Sequence, residues 1–288
     1  MRYYCHSNKS AIISDLRSIF WQSKEHIIRK QMKHWIIALT LAVFSLCCIF
    51  IGYAFHNYYT PPTERKVYII PHYNDDTLRV AYIGDSWAAM HKEYDCILAQ
   101  IIQDSIHRPV KVSSFGIHGK TSKEIYENMF DNQGLRKFMM QGYDYCFISA
   151  GINDTYKKLS TDYYKKSMNH LIRFLLTNHI HPIILDIPDY DIVKAYENQQ
   201  TARQILRKTS TFITGSQTDC KQTFRNALSD LINENNKWRI SILKFQEWNS
   251  DYQNDLKSYY LSDGMHLNKK GYERLDSCIA LHIIHNAD

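Results

Sequence analysis

The 288-residue chain has no C-x-x-C pair among its seven cysteines, and it has no internal repeat and no low-complexity tract. Structural zinc sites and dithiol redox sites use closely spaced cysteines, so this absence argues against both kinds of site. The sequence therefore implies no metal and no organic cofactor. It contains instead one long apolar run, followed by a stretch in which strand and helix patterns alternate.

The chain also lacks an excess of basic residues outside its N-terminal part. Residues 1–55 contain seven basic and two acidic side chains, whereas the rest of the chain contains 28 basic and 27 acidic ones. The basic isoelectric point of about 8.8 therefore comes from the first 55 residues. Because nucleic-acid binding needs a concentrated basic face, we predict no nucleic-acid partner.

Residues 35–55 carry no charged side chain, and their only strongly polar side chains are Thr40 and Ser45. As a helix this run would span about 30 Å, the thickness of a bilayer core. A signal-peptide core would be shorter, no small-x-small cleavage site follows, and a buried core helix would not be apolar on every face. We therefore predict a retained transmembrane helix that acts as a signal-anchor.

The basic residues flank this helix on its N-terminal side, and the positive-inside rule places such a flank in the cytoplasm. We therefore predict that residues 1–34 are cytoplasmic and that the larger C-terminal part is extracytoplasmic, in a periplasm or at the cell surface. Residues 56–78 include three prolines and a pair of aspartates, which is typical of a linker. The domain that follows is predicted to cover residues 79–288.

Four cysteines would lie in that oxidising compartment, namely Cys96, Cys146, Cys220 and Cys278. They could form two disulfides by three different pairings. Cys146, however, sits in a strongly apolar strand pattern, where a free buried thiol is the expected state. The sequence leaves the disulfide state open.

From residue 79 onward, short runs rich in Val, Ile, Leu and aromatic residues alternate with helical patterns. The predicted strands are residues 79–83, 110–115, 143–150, 182–187 and 239–245, and the clearest predicted helices are residues 161–178, 220–235 and 269–284. This alternation predicts an α/β fold in which a parallel sheet carries helices on both faces. Residues 191–219 are polar, and we predict an irregular insertion near the site.

Small, polar or titratable residues follow several of the predicted strands. The segments are Gly84-Asp85-Ser86, Gly116 to Thr121, Gly151-Ile152-Asn153-Asp154 and the late loop Asp263-Gly264-Met265-His266. Ligands of an open parallel sheet bind beyond the carboxyl ends of its strands, so we expect these segments to converge. A serine becomes a nucleophile when a base takes its proton and a third group orients that base, and the Asp and His of the late loop suit these roles.

Together the four segments resemble the blocks of the SGNH/GDSL hydrolase superfamily over about residues 79–286. The matching residues are Gly84-Asp85-Ser86 for the first block, Gly119 for the second, Gly151-x-Asn153-Asp154 for the third and Asp263-x-x-His266 for the last. Trp87 stands where the family has Leu, at a position that is usually apolar. An α/β-hydrolase would instead show G-x-S-x-G, but Ala88 lies two residues after Ser86.

The resemblance implies a three-layer, flavodoxin-like sheet and a division of roles at its edge. Ser86 would be the nucleophile, His266 the base and Asp263 the group that orients the imidazole. The oxyanion donors would be the backbone N–H groups of Ser86 and Gly119 and the side-chain amide of Asn153.

Each of these residues also has a simpler interpretation. Ser86 could be only a helix N-cap, and Gly119 and Asn153 could be only turn or cap residues. Asp85 and Asp154 are expected to make local hydrogen bonds. His118 is expected to be a pocket-wall or surface residue.

The leading hypothesis is a membrane-anchored serine esterase that removes O-acyl groups, acetyl foremost, from an extracytoplasmic carbohydrate. A loop rich in tyrosine and polar residues favours a sugar substrate: Tyr252, Asn254, Asp255, Tyr259 and Tyr260. An O-acyltransferase that modifies a cell-envelope polysaccharide through the same acyl-enzyme is the first alternative, and a non-catalytic glycan-binding module is the second. The sequence leaves the acyl group, the acceptor and the oligomeric state open.

Overall fold

The computed structural model describes residues 5–197, 200–205, 208 and 219–287, and the chain divides into two compact units, Met1–Tyr58 and Tyr59–Asp288. Helix α1 (Cys5–Tyr59) occupies the first unit. Its segment Lys24–Tyr53 is long and apolar enough to cross a membrane. The apolar side chains of this segment are exposed, Trp35 by 77% and Phe50 by 71%. The predicted run 35–55 is therefore helical, and its length and composition fit a membrane span.

The second unit is built on a five-stranded sheet whose strand order is β2-β1-β3-β4-β5. The strands are β1 (Leu78–Gly84), β2 (Val110–Gly116), β3 (Tyr145–Ser149), β4 (His181–Leu185) and β5 (Ser241–Leu243). All neighbouring strands in this sheet are parallel. The five residues of β3 are all buried, as expected for a central strand covered on both faces.

Helices cover both faces of the sheet and complete a three-layer α/β fold. They are α2 (Ser86–His91), α3 (Asp95–Ile106), α4 (Ser122–Asn128), α5 (Leu135–Met139), α6 (Ile152–Tyr156), α7 (Thr161–Thr177), α8 (Ile192–Glu197), α9 (Lys221–Glu234), α10 (Phe245–Trp248), α11 (Tyr252–Tyr259) and α12 (Lys269–Ala287). One core packs α4, α5, α7 and α9 against the sheet, and the other packs α2, α3, α11 and α12 against the opposite face. The predicted fold class is confirmed.

Local sequence explains where several of these elements begin and end. The Ser160 side chain caps α7 by accepting the N–H of Tyr163, and the apolar stripe of this helix is buried against the sheet. Strand β5 is shorter than predicted because Lys244 already serves as the N-cap of α10. Strand β3 is also shorter than predicted, and Tyr143 and Ala150 lie just outside it.

Residues 60–77 were predicted to be part of a linker, and this prediction is wrong for most of the segment. Residues 56–59 still belong to α1, and residues 60–77 pack on the second unit. Ile70 is 1% exposed, and its N–H donates to Asn178 Oδ1 at 2.8 Å. The apolar residues interspersed among the prolines bury against α4 and α7, which a solvated linker would not do.

Of the predicted insertion 191–219, residues 198–199, 206–207 and 209–218 lie outside the described residues. The insertion begins with α8, which is tied to the unit by the hydrogen bond from Tyr156 OH to the carbonyl of Ala195. The four cysteines of this unit are free thiols, namely Cys96, Cys146, Cys220 and Cys278. Cys146 is buried, as predicted.

Candidate active site

Strands β1, β2 and β3 end at the same level. Gly84 pairs with Gly116 on one side and with Ser149 on the other, so the segments that follow the three strands leave the sheet side by side. A Cβ on Gly84 would lie 2.1 Å from the carbonyl oxygen of Ser149. Glycine is therefore required for β1 and β3 to approach here, and this approach places Ser86 next to the residues that follow β3.

Ser86 is the first residue of α2 and is 8% exposed. The N-cap of this helix is Asp85, whose Oδ1 accepts the N–H of Trp87 at 3.0 Å. The interpretation of Ser86 as the cap is therefore wrong. Because Asp85 takes that role, the Ser86 hydroxyl is available for a long-range contact.

His266 supplies that contact and connects Ser86 to Asp263. The distance from His266 Nε2 to Ser86 Oγ is 2.9 Å, and the distance from His266 Nδ1 to Asp263 Oδ2 is 2.6 Å. When Nδ1 donates its hydrogen to the carboxylate, Nε2 keeps a lone pair and accepts the serine hydroxyl. The arrangement can thus move a proton from the serine to the imidazole.

Asp263 is held as a carboxylate. Its Oδ1 accepts the N–H groups of Met265 and His266 at 2.9 and 3.0 Å. Burial raises the pKa of Asp263, but the hydrogen bonds from the His266 ring and from the backbone lower that pKa below its ordinary value. The group beside the imidazole is therefore ionised near neutral pH.

The loop that carries Asp263 and His266 is held in place by hydrogen bonds to its backbone carbonyls. Tyr252 donates its hydroxyl to the Gly264 carbonyl at 2.6 Å, and the N–H of Leu261 donates to the His266 carbonyl at 2.7 Å. Tyr252 and Tyr260 are 9% and 5% exposed. The predicted sugar-facing role is wrong for these two tyrosines, because their rings pack under the loop and cannot present a face to a ligand.

The three candidate oxyanion donors lie on the segments after β1, β2 and β3. Ser86 begins α2, and Asn153 is the second residue of α6, with a side-chain Nδ2 that donates to Asp85 Oδ2 at 3.2 Å. This bond occupies one hydrogen of the amide and orients the other. Gly119 lies on the exposed loop after β2 with a φ of +73°, a left-handed conformation that favours glycine.

Asp85 and Asp154 were predicted to make local hydrogen bonds, and both are fully buried. Asp85 makes the local bond to the N–H of Trp87, whereas the partner of Asp154 is 32 positions away. Asp154 accepts the N–H and the hydroxyl of Ser122 at 2.9 and 2.5 Å, so α6 is joined to the start of α4. Burial raises the pKa of Asp85 to about 7 and that of Asp154 to about 6. His118 is exposed on the second loop, which is one of the two predicted states.

A second imidazole belongs to His91, the last residue of α2, and its contacts have no signal in the sequence. Its Nε2 is 2.8 Å from Asp276 Oδ1, and its Nδ1 is 2.8 Å from Ser114 Oγ and 3.1 Å from Asp95 Oδ1. The His91 and Asp276 side chains are 0% exposed. Their partners come from α2, α3, β2 and α12, so only the tertiary fold brings them together.

Among the described residues, no group of three or more His, Cys, Asp or Glu side chains is placed to hold a metal ion. A parallel α/β sheet with a Ser–His–Asp chain at the carboxyl ends of its strands defines the class of serine hydrolases.

The family assignment follows from comparison with known proteins. The model of the GDSL-like Lipase/Acylhydrolase family matches residues 82–274. Because this match covers more than half of the chain, the protein belongs to that family and is a serine ester hydrolase. The resemblance drawn from the four sequence blocks is thereby confirmed.

Solved structures share the fold at low sequence identity. A lipase/acylhydrolase from Enterococcus faecalis is 16% identical, with a TM-score of 0.50, and the match covers 73% of this chain and 96% of that one. An acetyl xylan esterase, AlAXEase, is 16% identical, with a TM-score of 0.52, and the match covers 72% of this chain and 100% of that one. A comparison with curated protein sequences gave no match.

Proposed function

We propose that this esterase removes O-acyl groups, acetyl foremost, from an extracytoplasmic carbohydrate and that Ser86 is its nucleophile. The observation that carries the proposal is the chain of contacts from Ser86 Oγ to His266 Nε2 at 2.9 Å and from His266 Nδ1 to Asp263 at 2.6 Å. These distances lie within the range in which a base can take the proton of a nucleophile.

In the first half-reaction Ser86 Oγ attacks the ester carbonyl carbon while its proton moves to His266 Nε2. The imidazolium that forms is stabilised by the Asp263 carboxylate. His266 then gives the proton to the leaving alcohol oxygen as the carbon–oxygen bond breaks. In the second half-reaction a water molecule attacks the acyl carbon while its proton moves to His266 Nε2. The bond from that carbon to Ser86 Oγ then breaks, His266 returns the proton to Oγ, and the free acid leaves.

The tetrahedral intermediate places a negative charge on the former carbonyl oxygen. The backbone N–H groups of Ser86 and Gly119 and the second amide hydrogen of Asn153 are the donors for this charge. Asp85 serves them indirectly because it orients Asn153 at 3.2 Å and caps the helix that Ser86 begins. Removing one such donor typically costs about 10²–10³ in rate.

The substrate class has two supports. The His266 and Asp263 side chains are 23% and 44% exposed, and His118 and Gly119 on the neighbouring loop are exposed, so an acyl group on a large molecule can reach the site. One of the structures that share the fold is an acetyl xylan esterase. Both supports favour an O-acylated polymer as substrate.

The extracytoplasmic location is supported by charge and by the apolar helix. The segment Lys24–Tyr53 is long and apolar enough to cross a membrane, and the basic excess of the chain lies within residues 1–55. A basic N-terminal flank stays in the cytoplasm, so the hydrolase unit lies on the opposite side.

The catalytic part is tested with the full chain in detergent micelles. The wild type should hydrolyse p-nitrophenyl acetate and should react at Ser86 with a fluorescent phosphonate, whereas Ser86→Ala should do neither. O-acetylated xylan is then supplied as substrate, and free acetate is measured beside transfer to an added unacetylated polysaccharide. Transfer in excess of free acetate would make the protein an acyltransferase, and no reaction of the wild type with ester or phosphonate would leave only a binding role.

The location is tested with Cys96, which is exposed and free. In intact cells a membrane-impermeant maleimide should label the wild type, and Cys96→Ser should lose most of that label. Labelling of Cys96 only after the cells are broken would place the hydrolase unit in the cytoplasm.

A further inference from the structure

The loop that carries Gly119 is the least enclosed part of the oxyanion site. His118 and Gly119 are exposed, and a Cβ built on Gly119 would meet no atom within 4 Å. The turn of this loop is closed by a hydrogen bond of 3.3 Å from the N–H of Lys120 to the carbonyl of Ile117. Packing therefore does little to fix the backbone on either side of Gly119, and glycine itself adds backbone freedom.

An ammonium group compensates for this lack of packing. Lys157 Nζ donates to the Gly119 carbonyl oxygen at 2.9 Å. Lys157 directly follows α6, and its N–H donates to the carbonyl of Asn153 at 2.9 Å. One turn of backbone thus carries both the Asn153 amide and the ammonium that holds the Gly119 loop.

The ammonium is itself held by a carboxylate. Glu124 Oε2 is 3.4 Å from Lys157 Nζ and also accepts the N–H of Thr121 at 3.0 Å, while its Oε1 accepts Lys120 Nζ at 2.9 Å. Burial raises the pKa of Glu124, but the bonds from Lys120 and Thr121 and the nearby Lys157 charge lower that pKa to about 2. Glu124 is therefore an ionised anchor for both lysines.

We propose that Lys157 is a positioning residue that holds the backbone N–H of Gly119 in line as an oxyanion donor. The proposal rests on the proposed function, since it assigns a partner to one of the three donors named there. A donor acts in the transition state only if it is already aimed when charge develops. The Gly119 carbonyl and the Gly119 N–H belong to two neighbouring peptides that meet at the Gly119 Cα, so the Lys157 bond acts on the donor by fixing the peptide next to it. Without that bond the backbone around Gly119 moves more freely, so part of the stabilisation of the oxyanion is lost while the substrate still binds.

The test is Lys157→Met in the full chain in detergent micelles, with p-nitrophenyl acetate as substrate. Active sites are counted by titration with the phosphonate, so that kcat refers to folded protein only. We expect kcat to fall by about 10-fold or more, part of the roughly 10²–10³-fold cost of losing a donor outright, with KM within about two-fold of wild type.

Lys120→Met is the matched control, because Lys120 shares the Glu124 partner at 2.9 Å while the bond to the Gly119 carbonyl comes from Lys157. Its kcat and KM should both stay within about two-fold of wild type. The proposal is overturned if Lys157→Met keeps wild-type kcat, if its loss lies in KM, or if Lys120→Met loses as much. An inactive wild type would instead overturn the proposed function, which keeps the two failures distinct.

Discussion

His266 and His91 are each in hydrogen-bond contact with a serine and an aspartate, yet the two sites are arranged in opposite ways. At the sheet edge the Ser86 hydroxyl points its hydrogen at His266 Nε2, and His266 Nδ1 faces Asp263. In the buried site the Ser114 hydroxyl donates to Asp95, so His91 Nδ1 has to donate to Ser114 Oγ. Both sites bring together a serine, a histidine and an aspartate. In the first the serine donates to the histidine, whereas in the second the histidine donates to the serine.

The number of carboxylates explains the reversal. His91 has Asp276 on Nε2 and Asp95 with Ser114 on Nδ1, so both ring nitrogens act as donors. Burial lowers the pKa of His91, but the hydrogen bonds with Asp276 and Asp95 outweigh this and raise that pKa. An imidazole that donates from both nitrogens has no lone pair to accept a proton, and at 0% exposure it has no access to substrate. The comparison teaches that one accessible ring nitrogen with a free lone pair separates the histidine proposed as the base from the structural one.

The sharpest test of this comparison removes each serine hydroxyl. Ser86→Ala should lower kcat for p-nitrophenyl acetate by at least about 10⁴-fold, as expected when a triad nucleophile is lost. Ser114→Ala should keep kcat within about three-fold and should lower the free energy of unfolding by about 1–2 kcal/mol, because it removes hydrogen bonds to buried groups. Steady-state rates and urea unfolding measure the two effects. A large loss of activity in Ser114→Ala alone, with stability unchanged, would contradict the structural role of the buried site.

Replacing each histidine by alanine tests the same contrast through stability. His91→Ala leaves the buried Asp276 carboxylate without its partner, so it should lower the free energy of unfolding by about 3–5 kcal/mol. His266→Ala removes a side chain that is 23% exposed and should cost less than about 1 kcal/mol while it abolishes turnover. The fluorescence of Trp87 and Trp248, both buried in the hydrolase unit, reports its unfolding in urea. Equal losses of stability in the two variants would remove the distinction between the sites.

The sequence was sufficient for the accessible site because its residues follow strand ends in a set order. Ser86 and Asn153 come directly after β1 and β3, and a parallel sheet brings such positions to one edge. Asp263 and His266 are three residues apart, so their contact is local. Because of these regularities, the sequence allowed us to predict both the fold class and the meeting of these residues at one edge of the sheet.

The buried site around His91 and the contact between Lys157 and the Gly119 loop could not be predicted in that way. Lys157 reaches Gly119 across 38 positions, and His91 reaches Asp276 across 185. Lys157 follows the short helix α6 and His91 ends the short helix α2, and no sequence pattern around either residue predicts which residue it contacts. The linker prediction was wrong for a related reason, since Ile70 is buried only because a surface on α7 happens to receive it.

The smallest expected effect is a difference in pH dependence between wild type and His91→Ala. The raised pKa of His91 means that the folded state holds this proton more tightly than the unfolded chain does. Its contribution to stability is therefore fully present below pH 6.5, the ordinary pKa of histidine, and is lost as pH rises through the raised value. Burial also raises the pKa of Asp276, which acts in the same direction. Asp263 has a lowered pKa, so its contribution is instead lost as pH falls below the ordinary range of a carboxyl.

Urea unfolding of wild type and His91→Ala between pH 7 and pH 9 measures this difference. The range begins at pH 7 because Asp154, with a pKa of about 6, adds most of its slope below that value. Asp85, whose pKa is raised to about 7, still titrates at the start of the range, but it is present in both proteins and cancels in their difference. The free energy of unfolding of the wild type should fall more steeply with rising pH than that of the variant, because only the wild type loses the His91 proton from the folded state in this range. Parallel pH profiles for wild type and His91→Ala would mean that His91 is neutral in the folded protein, and the contrast between the two histidines would then rest on burial alone.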